Sequence, residues 1–204
     1  NNKPTGENGI TRININKNHS NIFLLNKSTN KKEEIELFFA KNFLNIIKNK
    51  KWFKEFKNTD ILQNKENDLD FIISNKTSNF YLELMEIAPL GFLKKHQNEP
   101  NYYNDYEFAK YIIDKILKKS KKYESVKDNP IYLLIYITDW KFVLSDTLIT
   151  LLQYWLIKNK NCFKRIFYMS YEDNDSNNLH LFFSTDQGIS KNSTKTNTKK
   201  LLHI

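Results

Sequence analysis

Cysteine is almost missing from this chain. The single Cys162 excludes an internal disulfide and any zinc site built on cysteine thiolates, and it reads as a packed thiol. Four glycines and four prolines among 204 residues are too few for a loop-built architecture, and no internal repeat is visible. Long apolar runs are lacking too: the longest, Ile131 to Ile137, falls far short of a bilayer span. His19, His96, His180 and His203 are scattered without metal-ligand spacing. No charged-then-apolar leader is visible, and with Asn in first place a fragment or processed form is the expectation. These absences together lead us to expect a reducing, cytoplasmic setting and no membrane role.

What is present suits a folded domain. Apolar residues make up 40%, with 15 Phe and 11 Tyr, enough to bury a core within one domain. We expect a polar N-terminal segment over 1–30, a single α/β domain over 31–187, and a polar tail over 188–204. The net charge of +9 favours an anionic partner, nucleic acid first; DNA is the form we expect, although charge does not separate it from RNA. An Asn-, Lys- and Ile-rich composition of the kind AT-rich coding produces raises that charge as well, so the charge alone decides little.

Periodicity gives the order of elements. Ile35, Phe39, Phe43, Ile46 and Ile47 recur at helical spacing and predict a helix from Lys32 to Phe56. A loop with Pro89, Gly91 and Pro100 covers 88–104, and a second helix runs from Asp105 to Tyr123. Ile131 to Ile137 reads as a strand covered on both faces. Ser145 caps a third helix reaching Trp155, and Phe163 to Met169 and Leu179 to Phe183 read as two further strands. Helices alternating with buried strands predict an α/β fold, with a mixed central sheet flanked by helices on both faces.

The most informative stretch lies between the first two helices. Asp68-Leu69-Asp70-Phe71-Ile72-Ile73, a polar turn from Ser74 to Asn79, and Phe80-Tyr81-Leu82-Glu83-Leu84-Met85-Glu86-Ile87 read as a hairpin with carboxylates on both strands. Folding the hairpin brings Asp70 and Glu83 together. Such acids repel unless a proton is shared or a cation sits between them, and Mg²⁺ takes oxygen ligands of this kind. Glu83 is expected to be open to solvent. Glu86 alternates onto the other face of a regular strand.

On the second helix Phe108, Tyr111, Ile112 and Ile116 form one stripe. Lys119 falls within it and Lys115 at its edge, while Lys110 and Lys121 point away. A lysine on an inward stripe either snorkels to solvent or meets buried acids.

The acidic hairpin resembles the core motif of the PD-(D/E)xK nuclease superfamily: an Asp opening one strand, then an acid two residues before a Lys on the next. Asp70 and Glu83 match the acids, Leu69 replaces the proline, and Met85 stands where the lysine belongs. The resemblance spans roughly residues 32–140 and implies a restriction-endonuclease-like core ordered helix, three strands, helix, strand. The first of those strands is either the apolar island near Phe23 or a piece around Lys57 to Leu62.

It further implies metal-dependent hydrolysis of phosphodiester bonds. Asp70, Glu83 and the Leu84 carbonyl would hold Mg²⁺ or Mn²⁺. Lys119 would supply the missing catalytic lysine, with Lys115 in reserve, and Lys94, Lys95, Lys115 and Lys118 would contact nucleic acid. Glu36 would add a metal ligand from the first helix. From the residues alone, Glu36 reads equally as a first-turn glutamate favoured by the helix dipole beside Glu33 and Glu34. The alternative function is a nuclease-like fold without catalysis that binds nucleic acid or protein, and Met85 is its best argument.

Overall fold

The computed structural model describes residues 11–16, 19–24, 32–51, 53–64, 69–76, 78–87, 104–126, 128–137, 144–169 and 179–186. Strands β1 (Thr11–Asn16) and β2 (His19–Leu24) pair antiparallel as a separate two-stranded sheet. Helix α1 (Lys32–Lys48) leads through a 3-10 turn, Lys54–Phe56, into β3 (Asp60–Gln63), β4 (Phe71–Ser74) and β5 (Asn79–Glu86). Helix α2 (Asp105–Tyr123), β6 (Ile131–Tyr136), α3 (Asp146–Lys158), β7 (Arg165–Met169) and β8 (Leu179–Ser184) complete it. The main sheet has six strands in the order β3-β4-β5-β6-β7-β8. Its β5-β6 and β6-β7 pairs are parallel and the others antiparallel.

Strand alternation divides the core between the two faces of this sheet. Leu82, Leu84, Tyr132, Leu134 and Tyr136 turn toward α1, where Phe39, Phe43 and Ile47 lie. Met85, Ile87, Leu133 and Ile135 turn toward α2 and α3, meeting Phe108, Ile112, Ile116 and Leu152. Every residue of β6 is buried, as a strand covered on both faces requires. Burying each such Leu, Ile or Phe side chain contributes about 1.5–3 kcal/mol before chain entropy is counted.

The element ends have local causes. Asn104 caps α2 by accepting from the N–H groups of Tyr106 and Glu107, and the Ser145 hydroxyl accepts from Leu148 N–H to cap α3. The first helix is shorter than its sequence pattern predicts and stops at Lys48, not Phe56. There the backbone tightens into bonds from Asn49 to Ile46 and from Lys50 to Ile47, and the Asn49 amide donates to the Asn45 carbonyl. Phe53 caps the 3-10 turn and Phe56 ends it, and its tighter winding keeps both rings in the core. Asn58 then takes positive φ, a conformation asparagine tolerates, and the chain enters β3.

The order α1, β3, β4, β5, α2, β6 follows from the hairpin reading, with the first core strand at the Lys57 to Leu62 piece, not at the Phe23 island. Of the expected 88–104 loop only Asn104, the α2 cap, is described; residues 88–103 and the tail at 188–204 lie outside the described residues. No helix among the described residues is long and apolar enough to cross a membrane.

Candidate active site

β4 begins at Phe71, opposite Leu82. In β5 the odd-numbered N–H groups turn to β6: Tyr81 donates to Pro130 O and Ile87 to Tyr136 O, each at 2.9 Å. The even-numbered groups therefore face β4, and at Leu84 that strand has already ended. Asp70 fills the gap. Its Oδ2 accepts from Leu84 N–H at 2.7 Å, so a carboxylate continues the ladder where backbone is lacking. The Leu84 carbonyl points to the same side as its N–H, toward Asp70.

Continuing the register by one residue sets Asp70 across from Glu83. Glu83 shares its face with Tyr81 and Met85, beneath α2, and is only 2% exposed. This corrects the expectation of a solvent-open Glu83. The cover includes Lys119, whose Nζ donates to Glu83 Oε1 in a short ion pair. The other carboxylate oxygen, Oε2, is buried too, and the Tyr123 side chain hydrogen-bonds to this carboxylate as Lys119 does. Burial pushes the Glu83 carboxyl above its ordinary range, the Lys119 charge opposes the rise, and the Asp70 charge adds to it. Ser120 fixes this stretch of α2 from the other side: its buried hydroxyl accepts from Cys162 N–H at 2.8 Å. Cys162 itself is a half-buried free thiol.

Glu36 approaches from α1. It is buried, and its Oε1 lies 3.2 Å from Lys32 Nζ. Burial first and the charge of Asp70 second raise its pKa to about 7, with Lys32 and Lys119 opposing. Burial pulls the Lys32 ammonium down, but Glu36, Asp70 and Glu83 outweigh it and hold it above its ordinary value. Each face of the sheet thus sends one glutamate and one lysine toward Asp70. Tyr136 completes the surroundings: its ring stacks on Phe39 and its hydroxyl is buried without a hydrogen-bond partner. That hydroxyl is held well above the usual phenol range by burial, then by Glu36, Glu86 and Asp70.

Asp70, Glu83, Leu84, Lys119 and Glu36 therefore share one neighbourhood. They do not form a ready-made cage, for no group of three or more His, Cys, Asp or Glu among the described residues is placed to hold a metal ion. Asp70 is tied to Leu84, Glu83 to Lys119 and Glu36 to Lys32. Lys115 lies apart, its ammonium 4.7 Å over the Tyr111 ring, and Lys118 is exposed. Lys94 and Lys95 lie outside the described residues. Sequence reasoning missed Lys32, although its spacing of four from Glu36 was the available signal.

It also missed the nearly buried Arg165. Its guanidinium pairs with Glu55 and Asp186 and lies 5.0 Å over the Phe53 ring. This cluster borders a cleft of about 830 Å³ that also includes Asn75, Lys76 and Asn129.

No family model matches this chain, and no curated protein does. Among solved structures, the Pyrococcus furiosus SfsA protein in complex with Ca²⁺ is similar at 14% identity, covering 85% of this chain and 74% of that one, with a TM-score of 0.31.

Proposed function

We propose that this chain is a metal-dependent nuclease that hydrolyses phosphodiester bonds, with DNA as its first substrate. One observation carries the reading: the Lys119 ammonium pairs with Glu83, whose carboxylate also feels the charge of Asp70, and this supports Lys119 as the substitute for the lysine that Met85 replaces. Met85 is buried against the α2 and α3 side of the core, so the strand position itself serves packing.

The donor set suits Mg²⁺ or Mn²⁺, which take one or two carboxylates and otherwise water or phosphate. The buried Glu83 carboxylate is a hard oxygen donor of the kind such an ion takes. Asp70, Glu83 and the Leu84 carbonyl would hold it, with Glu36 beside them. A bound dication would lower the pKa of water and neutralise charge on the phosphate.

The chain's own groups do the rest. The backbone N–H of Leu84 orients the Asp70 carboxylate, and the Lys119 ammonium orients that of Glu83. Lys119 also offers a fixed positive charge to a developing oxyanion. Lys115 and Lys118 on α2, with Lys94 and Lys95, would give phosphate affinity without sequence choice. The setting that suits this role is cytoplasmic.

The test is cleavage of labelled DNA and RNA with Mg²⁺ or Mn²⁺, set against Asp70→Ala. Metal-dependent cutting that the substitution abolishes supports the reading, and binding without cutting under every divalent ion overturns it. That second outcome describes a non-catalytic nucleic-acid-binding module, a reading supported by Met85 at the motif lysine's position.

A further inference from the structure

The cleft beside Arg165 opens where β5, β6 and β7 begin, and Glu55, Lys76, Tyr132, Lys164 and Arg165 line it. Asp70 precedes β4 and Asn75 follows it, so the length of that strand separates the cleft from the acidic site. Its walls are tied by hydrogen bonds. Asn75 Oδ1 accepts from Ser78 N–H at 2.9 Å, and Asn75 Nδ2 donates to the Glu55 carbonyl at 3.2 Å, joining the β4–β5 turn to the 3-10 turn. Across the cleft Thr185 N–H holds the Lys164 carbonyl at 3.0 Å. The volume of about 830 Å³ lies within the ~300–1,000 Å³ of small-molecule sites, and fixed walls lower the cost of receiving a ligand.

Arg165 is the most buried charge on this lining, its side chain 8% exposed and set over the Phe53 and Tyr132 rings. Its Nε and Nη2 donate to Asp186 and its Nη1 to Glu55, which uses three of the five guanidinium N–H groups and leaves two. Only Arg12 and Arg165 among the 32 basic residues are arginines, so lysine is what this composition supplies by default. The planar fork that distinguishes arginine matches a phosphate as well as a carboxylate. Stability alone gives little reason for the cluster, since apolar side chains serve a buried position as well as an ion pair does.

Charge sets the sign of the occupant. Exposed Lys76 and half-buried Lys164 join Arg165, three cations against the carboxylates of Glu55 and Asp186. Residues 187–204, which follow Asp186, carry Lys191, Lys195, Lys199 and Lys200 and no acid. Their charge has the sign of the cleft and not that of an occupant.

We infer that this cleft is a second ligand site and binds a phosphate group, carried by a free nucleotide or by a nucleic acid strand. Lys76 and Lys164 meet the phosphate from the rim, and the two remaining Arg165 N–H groups take an oxygen from within. The inference stands apart from the nuclease reading, because none of these residues belongs to the acidic site.

The experiment follows the arginine Nε–H signals by ¹⁵N–¹H NMR. Two arginines give two signals, and Arg12→Lys assigns them. Inorganic phosphate, AMP, adenosine and a short oligothymidylate are titrated without divalent metal. The first two and the oligothymidylate should move the Arg165 signal saturably, and adenosine should not. Lys76→Gln should weaken AMP binding about tenfold, and Lys76→Gln with Lys164→Gln about a hundredfold. Lys110→Gln, which removes an exposed lysine of α2, should change it by less than about twofold. These variants leave Arg165 and its two carboxylates in place. Tighter binding of AMP assigns the cleft to a free nucleotide, and tighter binding of the oligothymidylate assigns it to a strand; either supports the phosphate site. An Arg165 signal that phosphate, AMP and oligothymidylate all leave unmoved overturns it. So does adenosine binding as tightly as AMP, and so do equal losses in Lys76→Gln and Lys110→Gln.

Discussion

Asp70 and Leu84 are joined by a 2.7 Å hydrogen bond from backbone to carboxylate, and that bond fixes the acid at the end of β4. Asp70→Ala removes a charge-assisted bond worth about 1.5–3 kcal/mol but also relieves repulsion with Glu83 and Glu36. The expected net loss is below about 2 kcal/mol, measured by urea denaturation without metal. In wild type, a metal ion at 100 times its Kd should add about 2.7 kcal/mol, or about 5–10 °C in Tm. Asp70→Ala should lose that shift, and an equal shift in both proteins would place the ion elsewhere.

Lys119→Met should reduce cleavage on the order of 10²-fold through kcat, because it removes a positioned charge. Lys121→Met takes the same charge from the exposed side of α2 and should act weakly. Single-turnover rates at saturating substrate separate the two. Similar modest losses would return Lys119 to the role of a surface residue.

Glu36 supplies a pH signature. Its pKa stands near 7 when folded, against an ordinary 4.5. Between those values the folded chain keeps a proton that the unfolded chain releases. Stability should therefore fall as pH rises from about 4.5 to 7 and level off above. Glu83, also raised, tilts the curve the same way. Glu36→Gln should flatten part of this decline and be more stable than wild type at pH 8. Parallel curves from chemical denaturation would show that Glu36 titrates normally.

Arg165→Ala should cost about 2–3 kcal/mol. This is less than the ~3–5 of a fully buried pair, because Glu55 and Asp186 keep 28% and 39% side-chain exposure. The rise in Tm with metal should survive, since Arg165 takes no part in the acidic site. Its loss would mean that the two ends of the sheet are coupled.

The elements that periodicity announces strongly were legible. Helix α2 runs from Asp105 to Tyr123 as its apolar stripe predicts, and β6 is buried on both sides as its unbroken apolar run predicts. The hairpin reading placed Asp70 opposite Glu83, and the helical wheel turned Lys119 inward. The end of α1 was not legible, because Phe53 and Phe56 continue an apolar spacing that a 3-10 turn uses as well as a helix. Strand β3 is mostly exposed and so carries no apolar alternation. The Arg165 cluster was invisible because Glu55, Arg165 and Asp186 are far apart in sequence and meet only through the sheet. The burial of Glu83 was misjudged because strand alternation gives a face but not what covers it.

The brevity of β4 has a consequence for how this site can change. Its four residues leave a notch in the sheet, and the Asp70 carboxylate reaches the Leu84 N–H because backbone stops there. The arrangement of these groups is thus encoded in a length as much as in residue types. One residue inserted between Asp70 and Phe71 would move Asp70 from the place opposite Glu83 to the place opposite Leu84 and turn its side chain to the other face, with every acid still in the sequence. An insertion just before Leu69 would leave the notch as it is.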